Sequence, residues 1–303
     1  MKQQYNDFGN WIRKQFPFRV QKIAIDAGFT CPNRDGRIGT GGCIFCDNRT
    51  FNPSYCIRNK TIAQQLEDGK QFFARKYPEM KFLAYFQAYT NTYASVEKLR
   101  NMYEEALKID EVVGLVIGTR PDCVDSSLLD YLEELNRKTF LIVEYGIESC
   151  NDKTLRFINR GHDFACSKRA IEATAERGIK VGGHIILGLP GEDAEESLRQ
   201  APIISSLPLT ILKLHQLQII KGTPLARLYT EHPFPLYTAQ EYIRLVANYI
   251  DALRDDIVLE RFVSQSPDDL LIAPKWGLKN YEFTHRLHNY MKEKLNNNAQ
   301  SDK

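Results

Sequence analysis

The chain lacks several features that would classify it at once. Its 303 residues contain no run of about 18 apolar residues, which excludes a transmembrane helix. The first ten residues, Met1 to Asn10, are polar and hold no apolar core of a secretion signal, so a cytoplasmic protein is expected. Net charge is scarce, because 40 Lys and Arg stand against 38 Asp and Glu. The seven cysteines are an odd number, which argues against a disulfide framework. None lies beyond residue 166, so the last 137 residues cannot hold a cysteine-ligated cluster. No Gly-x-Gly-x-x-Gly follows the first strand candidate, which counts against a dinucleotide fold. There is no internal repeat and no long linker.

What is present suffices for a large core. Hydrophobic residues make up 43% and charged residues 26%, the balance of a globular chain. Six β-rich runs read as strands: Lys22–Ala27, Lys81–Gln87, Val112–Thr119, Phe140–Ile147, Lys180–Leu187 and Ile211–Gln218. Amphipathic segments alternate with them: Thr61–Tyr77, Ser95–Ile109, Ser126–Arg137, Phe164–Arg177 and Asp193–Ser206. Strands alternating with helices imply a parallel sheet, since parallel neighbours need crossovers. The expected fold is α/β, a partial (β/α)6 TIM-like barrel, with a doubly wound open sheet as the rival. A helix over Thr238–Arg254, a further strand over Val258–Ser264 and a helix over Tyr281–Asn296 form a C-terminal helical extension, and the tail Asn297–Lys303 is expected to fray. The organisation is then a basic segment over 1–21, a core over 22–237 and the extension over 238–303.

Charge is unevenly placed. The first 60 residues hold ten Lys and Arg against four Asp and Glu, and the remaining 243 hold 30 against 34. A basic N-terminal part suits an anionic partner, and a solvated face explains it equally well.

The strongest signal follows the first strand. Cys31, Cys43 and Cys46 stand in a C-x11-C-x2-C pattern with Gly36, Gly39, Gly41 and Gly42 between them. Three thiolates in a glycine-rich loop suit an iron–sulfur cluster or zinc. Structural zinc would want a fourth ligand, for which Cys56 is available. Three ligands on a four-iron cluster leave one iron open for chemistry.

This loop resembles that of the radical S-adenosylmethionine (SAM) enzymes. Its long first spacing is similar to the branch that contains the Elongator catalytic subunit. Ala24-Ile-Asp-Ala-Gly-Phe-Thr-Cys31-Pro-Asn-Arg and Ala84-Tyr-Phe-Gln-Ala-Tyr-Thr-Asn-Thr-Tyr93 resemble a compact bacterial subfamily of that branch. The resemblance implies a [4Fe–4S] cluster on Cys31, Cys43 and Cys46 and bound S-adenosylmethionine. One electron from the reduced cluster, supplied by a donor such as flavodoxin or ferredoxin, then gives a 5′-deoxyadenosyl radical and methionine.

In parallel barrels functional groups collect at the C-terminal strand ends. The resemblance assigns SAM contacts there. Gln87 and Thr90 stand where the family meets the SAM amino group, in place of its usual Gly-Gly-Glu-like motif. Glu148 matches a ribose or methionine contact, Arg160 of the Asn159-Arg160 pair a carboxylate contact, and His184 a ribose contact. A guanidinium grips a carboxylate bidentately. Gly222-Thr-Pro-Leu225 resembles the adenine platform. Arg120 and Asp122 stand as SAM-end residues or as a structural ion pair. Cys123 and Cys150, at the ends of strands three and four, are candidate hydrogen-atom donors, with plain packing as the alternative.

The Elongator-like enzymes act on C5 of the wobble uridine of tRNA, and this chain ends too soon for their acetyltransferase domain. The compact subfamily implies conversion of 5-carboxymethylaminomethyl to 5-aminomethyl uridine in the anticodon loop. Arg13, Lys14, Arg19 and Lys22 are then candidate phosphate contacts, and Trp11, Phe16 and Phe18 either core or base-stacking groups. The rivals are a radical SAM enzyme on a small, coproporphyrinogen-like carboxylate and a non-catalytic zinc-loop nucleic-acid-binding protein.

Overall fold

The computed structural model describes residues 4–74 and 79–301. A two-residue strand β1 (Asn6–Asp7) leads into helix α1 (Phe8–Gln15), whose first turn is capped by the Asp7 carboxylate accepting from the Asn10 amide at 2.8 Å. Six strands follow: β2 (Val20–Ile25), β3 (Lys81–Phe86), β4 (Val112–Thr119), β5 (Phe140–Glu148), β6 (Lys180–Leu187) and β7 (Ile211–Gln216). The helices between them are α2 (Ile62–Ala74), α3 (Val96–Leu107), α4 (Ser126–Asn136), α5 (Asp152–Phe157), α6 (Phe164–Glu176) and α7 (Ala194–Ser206). Beyond β7 come β8 (Ile219–Ile220), α8 (Pro224–Glu231), α9 (Ala239–Asp251), β9 (Val258–Arg261), β10 (Leu271–Ala273) and α10 (Asn280–Ser301).

Every pairing in the main sheet is parallel, in the order β1-β9-β7-β6-β5-β4-β3-β2. The expected α/β partial barrel is therefore present, widened to eight strands by β9 and β1. Helix starts are written in the sequence: Ser95, Asp125, Asn151, Asp163, Asp193, Thr223 and Thr238 each accept an amide of the following turn. The strands alternate. Phe82, Ala84 and Phe86 of β3 pack outward with Leu99 and Tyr103 of α3, whereas Leu83 and Tyr85 face inward with Val116, Ile142 and Ile211.

The inner face is stopped at the N-terminal strand ends by α1. Ile12, Phe8, Trp11 and Phe16 pack there against Val20, Val113 and Phe140, with the Phe16 and Phe140 rings 4.9 Å apart. This decides one open alternative and corrects one expectation. Trp11 and Phe16 are core residues, and Phe18 stacks on Phe16 at 5.5 Å. Arg13, Lys14 and Arg19 are exposed, but at the opposite end of the barrel from the cysteine loop, which follows the C-terminal end of β2.

Smaller differences have local causes. The run Ile211–Gln218 breaks after Gln216, and its last part becomes β8, which pairs antiparallel with β10. Residues 75–77 of the expected second helix lie outside the described residues. The helix expected to fray after Asn296 continues to Ser301, since no Gly or Pro interrupts it; residues 302 and 303 are not described.

Candidate active site

A cavity of about 260 Å³, open to solvent, lies at the C-terminal strand ends. Cys31, Cys43 and Cys46 stand on its wall, together with all five side chains expected to meet SAM: Gln87, Thr90, Glu148, Arg160 and His184. Residues scattered over 150 positions of sequence thus face one space.

The loop is shaped around its sulfurs. Gly42 has φ +81°, and a Cβ there would lie 2.7 Å from Arg34 Nε, so only glycine lets Arg34 fold across the loop to donate to the Cys46 carbonyl at 2.7 Å. Asn159 Nδ2 donates to the Gly42 carbonyl at 2.8 Å, and Asn33 Nδ2 to the Asn159 carbonyl at 2.5 Å, clamping the loop to the β5–α6 connection. Donors also point at sulfur. Arg160 Nη1 is 3.6 Å and Asn33 Nδ2 3.8 Å from Cys43 Sγ, and Asn48 Nδ2 is 3.9 Å from Cys46 Sγ. Burial and then Cys43 hold the Cys46 thiol up to about 11, against the pull of Arg34.

N–H groups aimed at sulfur suit anionic, metal-bound thiolates, and metal binding deprotonates the thiol outright. The residues therefore fit a three-thiolate cluster. Cys56 does not join them. It packs in the core with Ile23, Phe29 and Leu66, and burial pushes its thiol up to about 12. Among the described residues no three Cys, His, Asp or Glu side chains are gathered as a single metal ion would need.

Arg160 is 6% exposed and is held from several sides. Its Nη2 donates to the Gly146 carbonyl at 2.5 Å and lies 3.6 Å from Glu148 Oε1, while its Nε is buried without a partner. Gly146 makes this possible, because a Cβ there would lie 2.5 Å from Glu148 Oε1 and 2.7 Å from Arg160 Nη2. Glu148 adopts φ +69°, at an irregularity where β5 leaves register with β6. Tyr89, also on the cavity wall, is left-handed as well, so two of the four such non-glycine residues among those described line the cavity, where strain tends to be stored, and a third, Asn159, holds the cysteine loop. Arg120 and Asp122 form the ion pair, two bonds of 2.9 and 2.8 Å, and Arg120 also holds the Arg160 carbonyl at 2.8 Å.

Below this rim lies a network that the sequence reading missed. Glu144, without solvent exposure, accepts from Tyr85 Oη at 2.7 Å, Lys213 Nζ at 2.7 Å and Lys22 Nζ at 2.9 Å, and its Oε2 is 3.1 Å from His184 Nε2. Glu260 takes Lys22 at 2.7 Å and lies 3.5 Å from Lys213. Lys22 is thus inside the barrel, stacked over Phe8, and is corrected from a phosphate contact to an interior cation. Two ammonium groups keep Glu144 ionised despite its burial. Burial pulls Lys213 down to about 8 and, with Lys213, keeps His184 neutral at pH 7. The signal was available: Lys22, Tyr85, Glu144, His184 and Lys213 are polar side chains inside largely apolar strands, where an inward-facing charge needs a partner.

The candidate hydrogen donors fare differently. Neither Cys123 nor Cys150 lines the cavity. The Cys150 amide donates to Gln200 of α7 at 2.7 Å, and the thiol packs on the outer, helix-covered side of the sheet, pushed up by burial. Cys123 Sγ is 3.8 Å from Asp122 Oδ1, and burial holds its thiol up to about 12.

Comparisons with known proteins agree with this geometry. Residues 34–199 match the Radical SAM superfamily and residues 209–293 the Radical SAM C-terminal domain. The chain is 36% identical to the protein YtqA of Bacillus subtilis over 92% of its own length and 86% of that protein. It is 24% identical to a tRNA uridine(34) acetyltransferase of Methanocaldococcus infernus, over 65% of this chain and 38% of that one. The solved structure of archaeal Elp3 from Methanocaldococcus infernus superposes with a TM-score of 0.69 at 18% identity, over 91% of this chain and 63% of that one. None of the described helices is long and apolar enough to cross a membrane. The chain belongs to the radical SAM superfamily, on its Elongator-like branch, and its cofactors are a [4Fe–4S] cluster and S-adenosylmethionine.

Proposed function

We propose that this radical SAM enzyme modifies the C5 side chain of the wobble uridine of tRNA, converting 5-carboxymethylaminomethyl to 5-aminomethyl uridine. The observation that carries the reading is the likeness to a tRNA uridine(34) acetyltransferase over 65% of the chain. Cys31, Cys43 and Cys46 would hold the cluster, and Arg160 the SAM carboxylate through its free Nε. When bound, the cofactors supply a 5′-deoxyadenosyl radical by one-electron reduction of SAM, the electron coming from a flavodoxin- or ferredoxin-like donor.

The chain's own part is to hold and shield. Glu148, set by its left-handed backbone, and neutral His184 face the cofactor space without a competing charge at the imidazole. An anticodon loop reaches such a cavity because its bases splay out of the helix. The cations beside the mouth are Arg37, Arg49 and Arg58, all exposed, with Arg37 over the Tyr93 ring at 5.5 Å and Arg58 over Tyr89 at 5.7 Å. These replace Arg13, Lys14 and Arg19 as the proposed phosphate contacts.

The test is mass spectrometry of tRNA nucleosides from cells with and without the gene. The 5-carboxymethylaminomethyl nucleoside should accumulate and its 5-aminomethyl product fall. An unchanged profile in a bacterium with no redundant pathway, with purified protein that ignores tRNA, ends the reading in favour of a small-molecule carboxylate.

A further inference from the structure

Arg261, at the C-terminal end of β9, stands apart from the other interior cations. It lines the cavity, yet its Nε is buried without a partner, and no hydrogen bond or ion pair to its side chain occurs among the described residues. Every carboxylate nearby is already claimed. Glu144 and Glu260 serve Lys22 and Lys213, so three cations share two carboxylates in the barrel interior. Glu260, adjacent in sequence, turns to Lys22 and Lys213 at the irregularity where β7 and β9 leave register, which sets Lys213 opposite Arg261.

The wall beside Arg261 is built and fully paired. The Ser264 amide donates to Gln216 Oε1 at 2.8 Å, Gln216 Nε2 returns a bond to the Ser264 carbonyl at 2.8 Å, and His215 Nδ1 lies 2.6 Å from Ser264 Oγ. These groups cannot turn to the guanidinium without breaking their own bonds. A rigid wall thus presents one unpaired guanidinium to the cavity. An unpaired cation at a partly buried position is costly to keep, and a bound anion removes the cost.

We infer that Arg261 is a substrate-binding residue that holds a carboxylate of the substrate. One surplus positive charge matches a singly charged planar carboxylate, which accepts two parallel N–H bonds from a guanidinium. The SAM carboxylate is assigned elsewhere. Arg160 sits on the β5 side, and β9 lies three strands away along the sheet, a separation of up to about 14 Å. The inference deepens the proposed function, on which the identity of the substrate rests: the carboxylate is what distinguishes the 5-carboxymethylaminomethyl side chain from the 5-aminomethyl one, and Arg261 would grip it while the base stays nearer the mouth.

The experiment uses anaerobically reconstituted holoenzyme with SAM and two anticodon stem-loop RNAs, one with 5-carboxymethylaminomethyluridine and one with 5-aminomethyluridine. Wild type should bind the carboxylated RNA about 10- to 150-fold more tightly. Arg261→Gln should erase that preference, and Arg261→Lys should keep part of it. Equal weakening of both RNAs would mean a phosphate contact and overturn the inference. Loss of SAM affinity with RNA preference intact would assign Arg261 to the cofactor and overturn it too.

If wild type binds neither RNA, the tRNA reading fails, and a second measurement decides the carboxylate separately. Phenylglyoxal labelling of Arg261 in the holoenzyme, followed by peptide mass spectrometry, should be slowed by N-ethylglycine and unaffected by inorganic phosphate. Labelling that neither slows, or that phosphate slows equally, overturns the inference. Folding is monitored by melting: Arg261→Gln removes an unpaired cation, so its Tm should equal or exceed that of wild type without substrate. A fall in Tm would mark Arg261 as a structural residue and also overturn it.

Discussion

Replacing Glu144 with Gln keeps the shape of the side chain and removes the charge at the centre of the barrel. Lys22 would keep Glu260 at 2.7 Å, but Lys213 would lose its carboxylate at 2.7 Å and retain only Glu260 at 3.5 Å. Removing one partner of a buried pair typically costs about 3–5 kcal/mol. The loss has a ceiling, because Lys213 already sits at about 8 and would shed its proton once Glu144 is gone. Lys213 is lowered from 10.5, so an unfolded chain binds this proton more readily than the folded one between those values. Stability linked to Lys213 therefore rises with pH across about 8 to 10.5 and is lost below about 8. In Glu144→Gln that rise should begin at lower pH. At pH 7 the variant should melt about 6–10 °C below wild type, taking about 2 °C per kcal/mol at this chain length. Circular dichroism melts between pH 6 and 9 make the measurement. The double variant Glu144→Gln/Lys213→Met should recover much of the loss by removing the stranded ammonium. A single variant within about 1 kcal/mol of wild type, or a double variant no better than the single, would refute the account of the interior as a compensated ionic network.

Cys31→Ala, Cys43→Ala and Cys46→Ala should each abolish the cluster and SAM cleavage, while Cys56→Ala should retain about four irons per chain, read by iron and sulfide assay of reconstituted protein. Arg160→Ala should weaken SAM binding by about 10- to 150-fold in calorimetric titration and leave the cluster in place. Gly146→Ala should reach the same end by another route, since its methyl would displace Glu148 and Arg160; a folded variant with unchanged SAM affinity would contradict the packing described. Replacing Arg37, Arg49 and Arg58 together with Ala should weaken tRNA binding and flatten its dependence on log salt by about 2. The triple change at Arg13, Lys14 and Arg19 should do neither, because those residues sit at the closed end of the barrel.

The sequence carried the frame well. Strands β4 and β6 run between the residues expected, because long apolar β-rich runs bounded by turn residues leave little ambiguity. The rim was legible too, since Gln87, Thr90 and Arg160 follow strand ends, Glu148 closes β5, and strand ends converge in this topology, while His184 reaches the cavity from within β6. Direction of approach was not legible. The basic segment precedes the cysteine loop by few residues, yet β2 carries the chain from one end of the barrel to the other, so nearness in sequence becomes the full length of a strand in space. The α1 helix went unread because eight residues make barely two turns, too short to stand out, although Phe8, Trp11 and Ile12 do fall at helical spacing. Glu144 and Lys213 were passed over as polar interruptions in apolar strands, although a charged inward position in a buried strand requires a partner on another strand.

The pairing of β1 with β9 also has a consequence for how the chain reaches this state. Asn6 lies beside Val258 and Asp7 beside Leu259, Tyr5 packs on Phe262 at 5.2 Å, and His288 Nε2 lies 2.9 Å from the Tyr5 hydroxyl. The segment that stops the barrel leaves the ribosome before β2 to β7, and its β9 partner follows after them. The strands from β2 to β7 need only neighbours made just before them, so they can assemble in order of synthesis. The stopper must wait, paying a loop-closure entropy over some 250 residues before its contacts reward it. Until then β1 and the open edge of β7 are both unpaired, and that interval is when the nascent chain most needs protection from aggregation.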